Sequence, residues 1–290
     1  MREFAMSHAF RLAAPVVRFT SYDSASPVLG RIGPLETRIA RSRLEVRAAQ
    51  ALRYRVFYQE MRAKASPLQR VRRLDSDQFD RLCDHLLVID TSLPGTVTEQ
   101  IVGTYRLLRQ EMLPAGASFY TAQEFDISTL VARHPDKRFL ELGRSCVLKD
   151  YRSKRTVELL WQGIWSYVLN HRIDVLFGCA SFSGTDPRAL ELPLSFLREN
   201  ARPPQEWQVT ALPARRVPLG EGGSCADARR ALAAMPPLLK GYLRLGGHVG
   251  DGAVVDMQFG TTDVLIVLPV ANISERYVSH YGSDAGRFAA

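Results

Sequence analysis

Three stretches in close succession decide the fold: FLELGRSCVL at 139–148, VELLWQGIWSYVLN at 157–170 and DVLFGCASF at 174–182. The first and third are short apolar runs of strand length. The middle one sets Trp161, Ile164, Trp165 and Val168 at helical spacing. A helix between two strands is the connection that parallel neighbours in one sheet require. The third run is apolar on both faces, as a strand buried inside a sheet would be. The expected class is therefore α/β, of the mixed α+β kind, with a mixed central β-sheet flanked by helices.

Upstream, residues 35–40 alternate apolar and charged side chains, predicting a strand. Residues 45–60 predict a helix with Val46, Ala49, Leu52, Val56 and Phe57 near one face. Residues 64–81 read as a polar loop. Runs at 86–90 and 100–109 read as strands, with a turn at Pro94-Gly95. Downstream, Gly184-Thr185-Asp186-Pro187 opens a helix expected to reach about residue 197, with a break at Pro193. Residues 201–224 are rich in Pro, Arg and Gly and read as a linker. Helices follow at 226–234 and 238–245, then a strand pair at 253–258 and 263–270. Val264 to Leu268 is apolar throughout, which predicts a buried strand completing the sheet. Residues 1–33 have no steady period and read as a flexible leader.

The chain has 290 residues, 46% hydrophobic and 23% charged, and can bury a sizeable core. Its net charge is +8, carried mostly by arginine; only Lys64, Lys137, Lys149, Lys154 and Lys240 are lysines. Such a surplus suits phosphate, anionic lipid or an acidic protein partner, or is simply a solvated surface. No RNP motif or C-x-x-C zinc pattern supports nucleic acid, and scattered histidines predict no metal site. Cys83, Cys146, Cys179 and Cys225 are widely spaced, as reduced thiols of a cytoplasmic protein would be. No apolar run is long enough to cross a bilayer, and the N-terminus lacks the succession of a signal peptide.

Four short patterns carry a resemblance. They are Arg53-Tyr54-Arg55-Val56-Phe57 (R-x-x-x-F) on the first helix and Asp77-Gln78-Phe79-Asp80 (D-x-x-D) in the next loop. Arg106 on a central strand and Glu141-Leu142-Gly143-Arg144 (E-x-x-R) before the crossover complete the set. In this order the set resembles the acyl-homoserine-lactone synthase branch of the GNAT superfamily. The finer resemblance is to the ornithine–acyl carrier protein N-acyltransferases. It runs through Leu142-Gly143-Arg144-Ser145, Gly178-Cys179-Ala180-Ser181-Phe182, Pro236 to Leu243, and the tail Asp256…Phe259…Asp263-Val264. The tryptophan that lactone synthases carry after R-x-x-x-F is missing, with Ala63 near its place. One position departs from the ornithine group: Gly260 stands where Asn is expected.

The resemblance implies a GNAT-like acyltransferase fold, with a core at 34–200 and an extension at 201–290 packed on the same domain. It implies transfer of a (3-hydroxy)acyl chain from acyl carrier protein to the α-amine of L-ornithine, the first step of ornithine lipid formation. No cofactor is implied beyond the acyl-phosphopantetheine of the carrier protein, which is substrate. Two other readings stay open: the same fold with S-adenosylmethionine as acceptor or coenzyme A as donor, and a non-catalytic module binding carrier protein or lipid.

Amide formation from a thioester needs positioning, a polarised carbonyl and a neutral amine, and no covalent enzyme intermediate. Glu141 and Arg144 are the catalytic candidates, Glu141 as base or as an ion-pair partner of Arg144 or another arginine. Arg53, Phe57, Asp77, Asp80 and Arg106 are the substrate-binding candidates. Asp77 and Asp80 would hold the distal ammonium and Arg53 or Arg106 the carboxylate, unless the four charged residues form an ion-pair network ordering the loop. GNAT enzymes cradle a pyrophosphate on a glycine-rich turn; here the turn is basic. Lys149, Arg152, Lys154 and Arg155 therefore suit an acidic carrier protein and its phosphodiester better than coenzyme A, or are a solvated charge run. The surplus also suits peripheral contact with an anionic membrane. Trp161, Trp165, Phe177, Phe182, Leu194 and Phe196 are candidates for an acyl tunnel or for core.

Overall fold

Nine strands hydrogen-bond into one sheet in a computed structural model that describes residues 22–220, 225 and 227–274. They are β1 (Val28–Ile32), β2 (Leu35–Ile39), β3 (Asp84–Asp90), β4 (Ile101–Arg109), β5 (Phe139–Val147), β6 (Val175–Ser183), β7 (Arg216–Val217), β8 (His248–Asp256) and β9 (Thr261–Pro269). The order across the sheet is β1-β2-β3-β4-β5-β6-β9-β8-β7. Only β5 and β6 are parallel neighbours, and the helix that crosses between them is α5 below. The helices are α1 (Arg43–Tyr54), α2 (Pro67–Arg72), α3 (Val97–Gln100), α4 (Ile127–Arg133), α5 (Lys154–His171), α6 (Glu191–Asn200), α7 (Ala228–Ala234) and α8 (Pro237–Arg244). No helix among the described residues is long and apolar enough to cross a membrane.

The period-2 alternation of the strands sorts side chains onto two faces. Leu86, Val88, Tyr105, Leu140 and Leu142 pack under α5 with Leu159, Ile164 and Tyr167. Leu87, Ile89 and Ile101 point the other way and pack under Val46, Ala49 and Leu52 of α1. The same second face continues through Leu108, Phe139, Val175, Phe177 and Leu265 beneath Phe119, Phe125 and Leu130. Gly163 lets α5 come down onto β2: a Cβ there would lie 2.5 Å from the Thr37 methyl.

β9 takes the inner position that its apolar run predicts, buried at all nine residues between β6 and β8. The part read as an extension therefore continues the sheet of the core. Several local expectations are corrected. Residues 28–32, read as part of a flexible leader, form β1, hydrogen-bonded to β2; residues 1–21 of that leader lie outside the described residues. The expected loop at 64–81 contains α2, started by Pro67 and a capping box of Ser66 and Gln69. The first helix stops being α at Tyr54 and continues as a π-helical turn from Arg55 to Glu60. Pro193 does not break α6, because it sits in the first turn, where its missing N–H is not needed. Phe177 and Phe182 lie on opposite faces of β6, in different core clusters, so the six aromatic and apolar candidates do not line a single tunnel.

Candidate active site

The face of the sheet shared by α1 and the loop at 113–126 gathers Arg53, Asp77, Asp80, Arg106, Glu141 and Arg144. Arg53, in the last turn of α1, is fully buried. Its Nε donates to Asp75 Oδ2 at 2.8 Å and its Nη2 to Asp80 Oδ1 at 2.7 Å. Arg106 donates from Nη1 to both oxygens of Asp77, at 2.8 and 2.7 Å. Arg144 lies 3.4 Å from Asp75 and 3.6 Å from Asp77. Three guanidinium groups thus face three carboxylates. Such pairs survive burial only with this quality of geometry, and removing one partner costs about 3–5 kcal/mol. Asp80 is held down to about 2; its burial works against this, but Arg53 and Arg106 outweigh it. The four predicted residues Arg53, Asp77, Asp80 and Arg106 are brought together in a network that buries Asp80 and Arg53, with Arg53 Nη1 left without a hydrogen bond. Asp75, which stands outside the D-x-x-D pattern, joins Arg53 to Arg144.

Arg144 owes its position to a β-bulge. Arg106 of β4 pairs with Gly143 and Thr104 with Cys146, so β5 carries one residue more than its partner between these positions. Arg144 has φ 52, the left-handed region that an L-residue enters at a cost of about 1–2 kcal/mol. The bulge turns Arg144 to the same side as Arg106 and Gly143. There its guanidinium carbon lies 4.7 Å from the ring centres of both Tyr120 and Phe259, and Nη1 donates to Tyr120 Oη at 3.3 Å. Its side chain keeps 14% of its exposure. Phe57 is not at the surface of this site: it supports Phe259 from beneath, edge to face at 5.6 Å.

Glu141 does not pair directly with Arg144. Its two oxygens accept the backbone N–H groups of Thr121 at 2.6 Å and Tyr120 at 3.1 Å. Burial raises its pKa; these hydrogen bonds and the nearby Arg106 oppose the rise. Glu141 therefore pins the turn that carries Tyr120. It is also the last residue at which β5 and β6 are paired: the ladder runs Phe139–Val175, Leu140–Leu176, Glu141–Phe177 and stops, although both strands continue. At the parting, a Cβ on Gly178 would lie 2.2 Å from Leu142 O, whereas one on Gly143 would meet nothing within 4 Å.

Beyond the parting lies a second group of acids. Glu124, Asp256 and Asp263 each offer a carboxylate oxygen, all within 4.8 Å of one another. Cys179 Sγ donates to Glu124 Oε2 at 3.4 Å. Burial and the charge of Asp263 push Glu124 up to about 7, against Arg215, whose Nη2 is 3.2 Å away. The tail motif Asp256…Phe259…Asp263 is thus part of the site. Asp256 Oδ1 accepts the N–H groups of Gln258 and Phe259 and shapes the turn that presents the Phe259 ring. Gly260 has φ 69 in that turn, a conformation open to Asn as well as Gly, so the departure there does not disturb the tail. Tyr120 and Glu124 stand in a stretch with no periodic or motif signal in the sequence.

Lys149, Arg152, Lys154 and Arg155 are all exposed where β5 leads into α5, whose N-cap is Ser153. Arg152 pairs with Glu60 at 2.6 Å and Lys154 with Glu158 at 3.4 Å. Burial pushes the thiol of Cys146 up to about 12 and those of Cys83 and Cys179 well up too, so none of them offers a thiolate nucleophile.

Comparison with known proteins agrees with this architecture. Residues 52–162 match the acetyltransferase (GNAT) domain family. The chain is 58% identical over 268 residues to the L-ornithine N(alpha)-acyltransferase of Rhizobium meliloti, covering 92% of this chain and 90% of that one. It is 56% identical to the protein of the same name from Agrobacterium fabrum, over 90% and 89% of the two chains. The Brucella abortus protein of that name is 54% identical over 90% and 93%. Identity at this level over nine-tenths of the chain places it in the L-ornithine N(alpha)-acyltransferase family.

Proposed function

We propose that the chain transfers a (3-hydroxy)acyl group from acyl carrier protein to the α-amine of L-ornithine, forming lyso-ornithine lipid. The similarity to relatives of that name over nine-tenths of the chain carries this reading. The site is consistent with it. Where β5 and β6 part, their facing backbone groups lack a partner strand. An amide-bearing pantetheine arm can add there as a strand would, bringing its thioester beside Glu141. Arg144 is the least covered of the three networked arginines and is assigned the acceptor's α-carboxylate. An unperturbed α-amine titrates at about 8, so little help is needed to deprotonate it. Glu141, with its raised pKa, is the assigned acceptor of that proton. Exposed Lys149, Arg152, Lys154 and Arg155 supply a basic surface for an acidic carrier protein at the mouth of the parting.

Mass spectrometry of purified protein incubated with L-ornithine and 3-hydroxyacyl carrier protein tests the reading. N-acylated ornithine is expected, with turnover lost in Glu141→Gln. An intact thioester in the presence of folded protein would sink the proposal.

A further inference from the structure

The two groups of acids differ in how they are compensated. Asp75, Asp77 and Asp80 face Arg53, Arg106 and Arg144, one cation for each anion. Among the described residues, Glu124, Asp256 and Asp263 have one ion pair between them, Glu124 with Arg215, whose side chain is 37% exposed; Arg144 acts on Asp263 from further off. Asp263 is 7% exposed. The Ser181 and Thr261 hydroxyls lie beside its carboxyl and oppose the rise that burial causes, yet neither its Oδ1 nor Thr261 Oγ1, on the same face of β9, makes a hydrogen bond of good geometry. A buried carboxylate oxygen left unsatisfied inside a cluster of like charges is costly unless a cationic donor completes it.

We propose that Glu124, Asp256 and Asp263 form the site for the side-chain ammonium of the acceptor, and thereby decide which of its two amines is acylated. This rests on the reading of ornithine as acceptor. It also reassigns the distal ammonium from Asp77 and Asp80, which are occupied by Arg106 and Arg53. A primary ammonium has three donors, and the cluster offers one oxygen from each of three carboxylates within 4.8 Å. A hard divalent ion would want six or more oxygens. Here one oxygen of Asp256 is committed to two backbone N–H groups, and Arg215 flanks Glu124.

Electrostatics decides which amine belongs here. Carboxylates around an ammonium hold its proton. A group so held cannot attack a thioester, which suits the spectator amine and not the nucleophile. The α-amine, the more weakly basic of the two, is then left at the strand parting beside Glu141. Cys179 of β6 touches Glu124, and Glu141 ends the β5–β6 ladder at Phe177, two residues before it, so the two places are neighbours on one face.

The test compares L-ornithine with L-norvaline, which has the same carbon skeleton without the second amine, using carrier-protein donor and wild type, Asp263→Asn and Glu124→Gln. The wild type is expected to prefer ornithine by about 30-fold or more in kcat/KM. Each variant should raise KM for ornithine at least tenfold and move the ornithine-to-norvaline ratio toward one. Fragmentation should find Nα product from the wild type and some Nδ product from the variants. Calorimetric titration of L-ornithine into donor-free protein should show the same weakening. Folded variants that keep both KM and the ratio would overturn the site. So would ornithine turnover that is abolished by EDTA and restored by a divalent metal. A wild type that acylates no ornithine would instead overturn the underlying reading, and the site with it.

Discussion

Glu124 shows what a single residue costs this fold and what it is kept for. Its pKa in the folded chain is raised to about 7, largely by burial and by Asp263, with Asp256 adding to the rise and Arg215 and Cys179 opposing it. Between roughly pH 4.5 and 7 the folded chain holds a proton that the unfolded chain has released, so stability falls as pH rises through that window. Glu124→Gln removes this penalty. At pH 8 the variant should melt several degrees higher than the wild type, and at pH 4.5 the gain should vanish; calorimetry at the two pH values checks both. Arg53 is the opposite case. Arg53→Met leaves Asp75 and Asp80 buried with only the longer contacts to Arg144 and Arg106, and urea denaturation should show a loss of about 3 kcal/mol.

Among the elements, β5 carries the decision that matters. Its extra residue turns Arg144 to the side of Arg106, and its early parting from β6 opens the sheet at Glu141. Arg144→Gly would place the one residue type that tolerates φ 52 at no cost into the bulge. The relief offsets part of the lost ion pairing, so the thermal midpoint should fall by only a few degrees. Acyl transfer should fall by about 100-fold or more, since the guanidinium held between Tyr120 and Phe259 is gone. A collapse of the fold instead would mean that the bulge depends on the arginine and not on the strand pairing around it.

For the whole molecule, the excess of positive charge and its placement around the start of α5 predict how the protein meets its donor. Lys149→Glu and Lys154→Glu together should raise KM for acyl carrier protein with little change in kcat. The wild-type KM should rise steeply with ionic strength, and the double variant's much less. Steady-state kinetics at low and physiological salt checks both. Strand order acts over the whole sheet as well: β9 is inserted beside β6, so the acids of the C-terminal hairpin reach the same face as the R-x-x-x-F helix, about two hundred residues earlier in the chain.

The sequence by itself determined the elements whose signal is local. The crossover at 139–182, the helix bearing Arg53 and the buried run of β9 were legible because side-chain periodicity reports which face is buried. The charged motifs were legible as a set because their order along the chain follows the order of helix, loop and strands. What lay beyond reading was pairing. Asp80 could not be told from a free ligand until Arg53 was seen against it, and Glu141's partners are backbone N–H groups of Tyr120 and Thr121, which no side-chain pattern encodes. The bulge at Arg144 is invisible locally, because it is a mismatch between two strands 37 residues apart in chain position, Arg106 against Gly143. The convergence of Glu124, Asp256 and Asp263 is likewise a product of strand order, since only the insertion of β9 next to β6 brings the two chain ends of that site together.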